Sequence, residues 1–230
     1  MVFSLIDKLI RNIVSRVLMN AKFGVSMLLI VVALQSTSET IFVGGVMEES
    51  QTWTSDNTYI VYQDLIISGG VILSIKEGVV VKIDNALGII VTNGSIKVEG
   101  TKTDSVNFVP NHSSPGQIWK WSGLIIRNAN TENKSSINYA KLIDAETAIK
   151  IENSWEVVVE NSSIFNCQNI GVNIINSSSC LVLNCTIENN YDGIEMLAGY
   201  LESTSNNVIY ECIVRNQNHN IYIFREEGGG

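Results

Sequence analysis

Proline is almost absent from this sequence, with 2 residues in 230. Because proline removes a backbone donor from a strand ladder, its scarcity is typical of a chain rich in paired strands. Charged residues make up only 17% of the chain, below the usual ~25%, which excludes a coiled coil. The 2 histidines and 4 cysteines form no CxxC pair or ligand-spaced cluster, so we predict no metal site and no cofactor.

Basic charge is also scarce. The chain has 15 Lys and Arg against 23 Asp and Glu, which gives a net charge of −8 and a pI of about 4.8. This balance argues against nucleic acid or an anionic membrane surface as the main partner. Hydrophobic residues reach 45%, so a disordered chain is excluded as well.

The N-terminal segment, 1–38, has the features of a targeting sequence. Residues 23–34 form an apolar run that is shorter than the ~20 residues of a membrane span and typical of a signal-peptide core. Basic residues precede it. We predict a signal peptide over 1–38, with Met19 as an alternative start, and hence a secreted, periplasmic or cell-surface protein. The alternative is an amphipathic helix that stays attached as a membrane anchor.

Asparagine is abundant, and many of the asparagines recur at a fixed spacing. From Ala148 the sequence repeats with a period of about 22 residues, and new lines begin at Gly171 and Gly193. A period of this length predicts a solenoid. The apolar columns of the alignment are Ile149–Val172–Ile194–Ile221, Ile151–Ile174–Met196–Ile223, Val159–Val182–Ile209 and Ile164–Ile187–Val214.

Each repeat holds three short runs in which apolar and polar residues alternate, and none has a helical period. We therefore predict an all-β fold, a right-handed parallel β-helix with three short strands per coil of about 22 residues. Asparagine suits the corners, because it tolerates a left-handed backbone and can stack in an Asn ladder. A β-sandwich or jelly roll is the alternative fold.

The predicted domain organisation is simple. Residues 39–230 form one β-helix domain, with irregular coils over 42–147 and regular Asn-rich repeats over 148–224. The sequence stops as a new coil begins at 221–224. Because a solenoid needs a cap over its last edge, we expect the chain to be part of a longer protein.

The cysteines, Cys167, Cys180, Cys185 and Cys212, all lie in the repeats, where the last two share a column with Ser162. We favour buried free thiols that pack as small apolar side chains. A disulfide between neighbouring coils is the alternative, because stacked coils bring equivalent positions close enough for one.

An apolar stripe is predicted on the outside of the solenoid. If Val159 and Val182 point inward, their neighbours Val158, Leu181 and Val208 point outward, because successive side chains of a strand alternate. Such a stripe is typical of a covered surface. Self-association, along this stripe or edge to edge at the solenoid end, is the corresponding partner hypothesis.

Four motifs follow one another in the first half: Trp53, then IKEGVVVK at 75–82, IKVEGT at 96–101 and WSGLI at 121–125. In this order they resemble the start of secreted bacterial right-handed β-helix proteins of the pectin-lyase-like superfamily. The resemblance covers about residues 42–224 and implies the β-helix fold. It implies little about activity, because that superfamily contains lyases, hydrolases, epimerases, adhesins and phage tail proteins.

The candidate ligand-binding surface is a column of four outward-facing residues. An acid at a neighbouring corner, Asp192, and an aromatic residue, Trp155, are added to it. The candidate residues are Lys150, Asn173, Glu195, Tyr222, Asp192 and Trp155. The column itself holds a single carboxylate, whereas glycoside hydrolysis needs a pair. We therefore assign no catalytic residue.

The sequence favours a secreted or cell-surface binding or structural module, with a polysaccharide or a cell-surface glycan as the expected partner. The alternative is a polysaccharide lyase, hydrolase or epimerase whose site is incomplete in this chain, so enzymatic activity stays open. His112 and His219 are interpreted as surface residues in loops without an acid partner.

Overall fold

The computed structural model describes residues 38–111, 119–130, 132–198 and 205–225. Its 21 strands lie in one compact unit, Thr37–Gly230, and all their pairings are parallel. The predicted parallel β-helix is confirmed. The β-sandwich alternative is wrong, because its sheets would be antiparallel. Among the described residues, no helix is long and apolar enough to cross a membrane.

Some predictions concern residues outside these ranges. The predicted signal peptide, except for its last residue, lies outside the described residues, so export stays a prediction. The same is true of His112 and of residues 226–230.

Each coil contributes one strand to each of three faces, which we call A, B and C. Face A contains β6 (Gly88–Thr92), β9 (Gly123–Arg127), β12 (Ile149–Glu152), β15 (Ile170–Ile175), β18 (Asp192–Ala198) and β21 (His219–Arg225). Face B contains β2 (Gln51–Trp53), β4 (Ile72–Lys76), β7 (Ser95–Glu99), β10 (Ser136–Asn138), β13 (Val158–Glu160), β16 (Leu181–Leu183) and β19 (Val208–Tyr210). Face C contains β5 (Val80–Ile83), β8 (Val106–Pro110), β11 (Ala140–Ile143), β14 (Ser163–Phe165), β17 (Thr186–Glu188) and β20 (Ile213–Arg215).

Two longer strands begin the solenoid, β1 (Glu39–Val46) and β3 (Asn57–Ser68). The first part of β3 pairs with β5, and its last part pairs with β6. This strand therefore runs from face C into face A, and β1 pairs along most of its length.

The strand register confirms the aligned columns. Ile149 pairs with Val172, and Val172 pairs with Ile194. The same in-register stacking holds on faces B and C. Inward side chains such as Val159 and Val182 are fully buried. Hydrophobic burial along these ladders is the main stabilising contribution to the fold.

The apolar stripe lies on the outside of face B, as predicted. Val158 and Leu181 are half-buried there and Val208 is exposed. Leu183 and Tyr210 continue the apolar surface in the neighbouring outward column. Self-association through this surface stays a prediction.

Tryptophans fill the core of the early coils. Trp53 is buried and stacks on Tyr59, with ring centroids 4.2 Å apart. Trp121 is fully buried beside Phe108, and its indole N–H donates to the carbonyl of Ile143 at 2.9 Å. The buried N–H therefore has the partner that a buried indole needs.

Left-handed residues turn the chain at the corners. Asn161 and Asn184 have φ of 51° and 48°, and Asn166 and Asn189 have φ of 58° and 57°. Asparagine adopts this conformation more readily than other non-glycine residues, because its side chain bonds the local backbone. The predicted asparagine corners are thus confirmed. Glu211 takes the same conformation, with φ of 54°, so the corner persists where asparagine is replaced.

At several corners the residue after the left-handed position points inward and closes the turn. Ser154, Ser162 and Ser177 donate their hydroxyl groups to the carbonyl two residues earlier, at 2.7–2.8 Å. The thiols of Cys185 and Cys212 reach the equivalent carbonyls at 3.2 and 3.4 Å. Serine and cysteine alternate at these positions because both are small and both carry a donor.

All four cysteines are free, as we favoured, and the alternative disulfide is not formed; Cys167, Cys180 and Cys185 are buried as predicted, whereas Cys212 is only half-buried. Burial raises the pKa of Cys167 and Cys185 to about 12 and also raises the pKa of Cys180. The prediction that they act only as apolar side chains is incomplete. Their Sγ atoms also contact backbone carbonyls at the corners.

The predicted Asn ladder is present beside one of these corners. Asn161 Nδ2 donates to Asn138 Oδ1 at 2.9 Å, and Asn184 Nδ2 donates to Asn161 Oδ1 at 2.7 Å. Asn184 is exposed and Asn161 is half-buried, so the ladder runs along the outer surface and connects three successive coils.

The left-handed corner makes a testable prediction at Asn189. Asn189→Ala should lower the free energy of unfolding by about 1 kcal/mol, because alanine disfavours a left-handed backbone. Asn189→Gly should lose much less. Asn218→Ala is the control, because Asn218 is exposed but not left-handed. Urea unfolding measures all three, and equal losses for alanine and glycine at position 189 would contradict the backbone explanation.

Candidate functional site

The predicted outward column lies on face A. In the strand register, Lys150 pairs with Asn173, Asn173 with Glu195, and Glu195 with Tyr222. Neighbouring strands of a sheet lie about 4.8 Å apart. The four side chains therefore emerge side by side from four consecutive coils.

A second outward column lies beside the first, and the sequence interpretation missed it. It contains Glu152, Ile175, Leu197 and Phe224, two residues further along the same strands. The rings of Tyr222 and Phe224 are nearly parallel, at 4°, with centroids 6.4 Å apart. The period-two alternation of each strand was the signal that could have identified this column.

Ion pairs occupy the N-terminal end of the surface. Glu152 Oε1 lies 2.5 Å from Lys150 Nζ, and Glu152 Oε2 lies 2.5 Å from Arg127 Nε. Burial raises the pKa of Glu152, but hydrogen bonds from Lys150 and then Arg127 outweigh it, so the pKa is lowered overall. Both cations therefore form ion pairs with the same carboxylate.

Asn173 is the most buried residue of the first column, with 6% of its surface exposed. Its Oδ1 is buried and accepts no hydrogen bond from the described residues. A buried acceptor without a donor carries an unfavourable desolvation cost of about 1–3 kcal/mol. Such an atom is better satisfied when a ligand brings a donor.

Glu195 lies directly beside Asn173. Burial, and secondly the charge of Asp192, raise the pKa of Glu195. No cation of the described residues forms an ion pair with it. The carboxylate is therefore both partly desolvated and uncompensated, which is common at functional sites.

Asp192 and His219 form a pair at the corner that precedes this part of face A. Asp192 Oδ1 lies 2.8 Å from His219 Nδ1 and accepts the His219 backbone N–H at 3.1 Å. The imidazole is 5.7 Å from the Tyr222 ring. The prediction that His219 lies in a loop without an acid partner is therefore wrong, because His219 starts β21 and stacks on Asp192.

Trp155 does not join the column. It lies at the corner after β12, beyond Glu152, and it is 50% exposed. Asp192 is at the opposite end of the face A strands. Residues 199–204, which follow β18, lie outside the described residues.

A separate groove of about 640 Å³ lies at the start of the solenoid. Phe42 and Tyr62 form its aromatic side, with centroids 6.4 Å apart, and Glu48 and Glu49 contribute its charge. Both glutamates are exposed. Buried polar atoms without a partner are found at Asn173 but not in the described lining of this groove, so face A is the stronger candidate.

In the described part of the chain, no group of three His, Cys, Asp or Glu residues is placed to hold an ion. What face A offers is a flat surface with hydrogen-bond acceptors, one uncompensated carboxylate and two aromatic rings. These groups can bind and orient a polar ligand with apolar faces.

A family model described as a right handed beta helix region matches residues 82–229. No curated protein and no solved structure matches the chain. The family match covers more than half of the sequence and agrees with the parallel ladders. The predicted right-handed parallel β-helix is therefore confirmed.

The two glutamates of face A should respond oppositely to neutralisation. Glu195→Gln should raise the free energy of unfolding at neutral pH, because the raised pKa means that ionised Glu195 destabilises the folded state. This gain in stability should vanish at a pH below the pKa of Glu195 in the unfolded chain, where the glutamate of the wild-type protein is protonated in both the folded and the unfolded state. Glu152→Gln should lower stability at neutral pH, and that loss should fade as pH drops through the lowered pKa of Glu152.

Chemical denaturation of both variants across pH measures these effects. A destabilised Glu195→Gln variant at neutral pH would contradict the interpretation of Glu195 as an uncompensated carboxylate. A Glu152→Gln variant with wild-type stability would show that its ion pairs contribute nothing.

Proposed function

The chain belongs to the right-handed beta helix family, and on that basis we propose that it is a polysaccharide-binding module. The binding surface is the outside of face A, from Lys150 to Phe224. One observation carries the proposal: the buried and unpartnered Oδ1 of Asn173 lies in register between the charged side chains of Lys150 and Glu195.

Sugars present hydroxyl groups at their edges and apolar C–H groups on their faces. Asn173 and Glu195 supply acceptors for hydroxyl groups. Tyr222 and Phe224, which are 41% and 46% exposed, supply rings for the apolar faces. Because the solenoid repeats these positions coil by coil, the surface is elongated and suits a chain of sugars better than a compact ligand.

Export to the periplasm, the cell surface or the medium is part of the proposal, because polysaccharides are accessible there. The basic residues and the apolar run within 1–38 support it. The acidic net charge of −8 supports a glycan over nucleic acid as the partner.

A polysaccharide lyase, hydrolase or epimerase is the second candidate function, favoured by one observation. Glu195 has a pKa raised by burial and by Asp192, which is typical of a general acid. New reducing or unsaturated ends after incubation with polysaccharides, lost in Glu195→Gln, would favour this function over simple binding.

The binding proposal is tested with the two aromatic side chains. We expect Tyr222→Ala combined with Phe224→Ala to weaken retention on immobilised polysaccharides by roughly tenfold or more, because two stacking contacts are removed. Tyr210→Ala is the matched control, since Tyr210 is 61% exposed on face B. Face A would be rejected as the binding surface if the double variant and Tyr210→Ala lost retention equally, or if the protein bound none of a broad panel of polysaccharides.

A further inference from the structure

The polar groups around Asn173 have an uneven balance of donors and acceptors. Asn173 Oδ1 is a buried acceptor without a donor, and the neighbouring Glu195 carboxylate accepts only, when ionised. Asp192, which is paired with His219, adds a second carboxylate near Glu195. A ligand that fits this environment brings hydrogen-bond donors rather than acceptors.

The charge of the same region is also uneven. Lys150 and Arg127, the cations at the near end of the surface, are held by the carboxylate of Glu152. Glu195 has no such partner among the described cations. The centre of the site is therefore negative, and a negatively charged sugar would meet an uncompensated like charge.

An aromatic ring lies on the far side of this carboxylate. Tyr222 follows Glu195 in the column and is partly exposed. The face of a tyrosine ring attracts a cation. An acceptor, a carboxylate and an aromatic ring thus follow one another over three consecutive coils.

We propose that the site selects polysaccharides that carry protonated amino groups, such as glucosamine polymers. The ammonium group donates hydrogen bonds to Asn173 Oδ1 and to the Glu195 carboxylate, and it lies against Tyr222. This inference rests on the proposed polysaccharide-binding function and adds the class of sugar. The acidic side chains alone would not define such a site, and the buried, unpartnered oxygen of Asn173 is the independent observation that does.

The test compares three oligosaccharides of equal length: glucosamine, N-acetylglucosamine and galacturonate oligomers. Calorimetric titration is carried out with the full chain in a mildly acidic buffer in which sugar amines are protonated. We expect the glucosamine oligomer to bind roughly tenfold more tightly than its acetylated counterpart, since it adds a charge-assisted hydrogen bond. The galacturonate oligomer should bind weakest.

Two substitutions locate the preference. Glu195→Gln and Asn173→Leu should each bring glucosamine affinity close to that of N-acetylglucosamine. Glu160→Gln is the matched control, because Glu160 is a half-buried outward glutamate on face B. Circular dichroism shows that each variant is folded.

The outcomes separate the two proposals. If no oligomer binds, the proposed function fails, and the amine preference fails with it. If the three oligomers bind equally, or galacturonate binds best, the amine preference is wrong while polysaccharide binding stands. A glucosamine preference that Glu160→Gln reduces as much as Glu195→Gln would reflect general attraction to an acidic protein and would overturn the site.

Discussion

The left-handed corner is the constraint on which the rest of the fold depends. At most corners a residue adopts positive φ, and after Asn161 and Asn184 the next residue points inward, where its hydroxyl or thiol contacts the carbonyl two residues earlier. This local closure fixes where each strand starts. Since a shift of one residue would turn every side chain to the opposite face, the corners determine which residues reach the core and which reach the surface.

The candidate site is a consequence of that register. Asn173 and Glu195 are a full repeat apart in sequence, and they become neighbours only because Val172 and Ile194 are paired one position earlier. The same register places the ion pairs of Glu152 at one end of the surface, on β12. It places the aromatic rings of Tyr222 and Phe224 at the other end, on β21. A repetitive scaffold therefore carries a surface whose chemistry changes from one coil to the next.

Much of the fold could be predicted from the sequence, because residues that are one repeat apart in a solenoid lie next to each other on adjacent coils. The columns of Ile149 and Ile151 follow directly from the repeat period. The Asp192–His219 pair is harder to predict, because extra residues before β19 lengthen that coil. Asp192 and His219 are therefore 27 residues apart in sequence. It follows from aligning Ile194 with Ile221, although a motif search along the chain does not detect it.

Other features of the site depend on three-dimensional environment and had no signal in one sequence. The lack of a donor for Asn173 Oδ1 is a property of its burial among neighbouring side chains. The raised pKa of Glu195 likewise follows from desolvation and from Asp192. The contact between Sγ of Cys185 and a backbone carbonyl depends on side-chain orientation, which the repeat pattern does not specify.

The most direct test of this account is a crystal structure of the protein with a glucosamine oligomer. We expect an amino nitrogen within hydrogen-bonding distance, about 2.7–3.2 Å, of both Asn173 Oδ1 and the Glu195 carboxylate, with the two residues adjacent on parallel strands. An oligomer bound on another face, or one whose amino groups point away from both residues, would contradict the account.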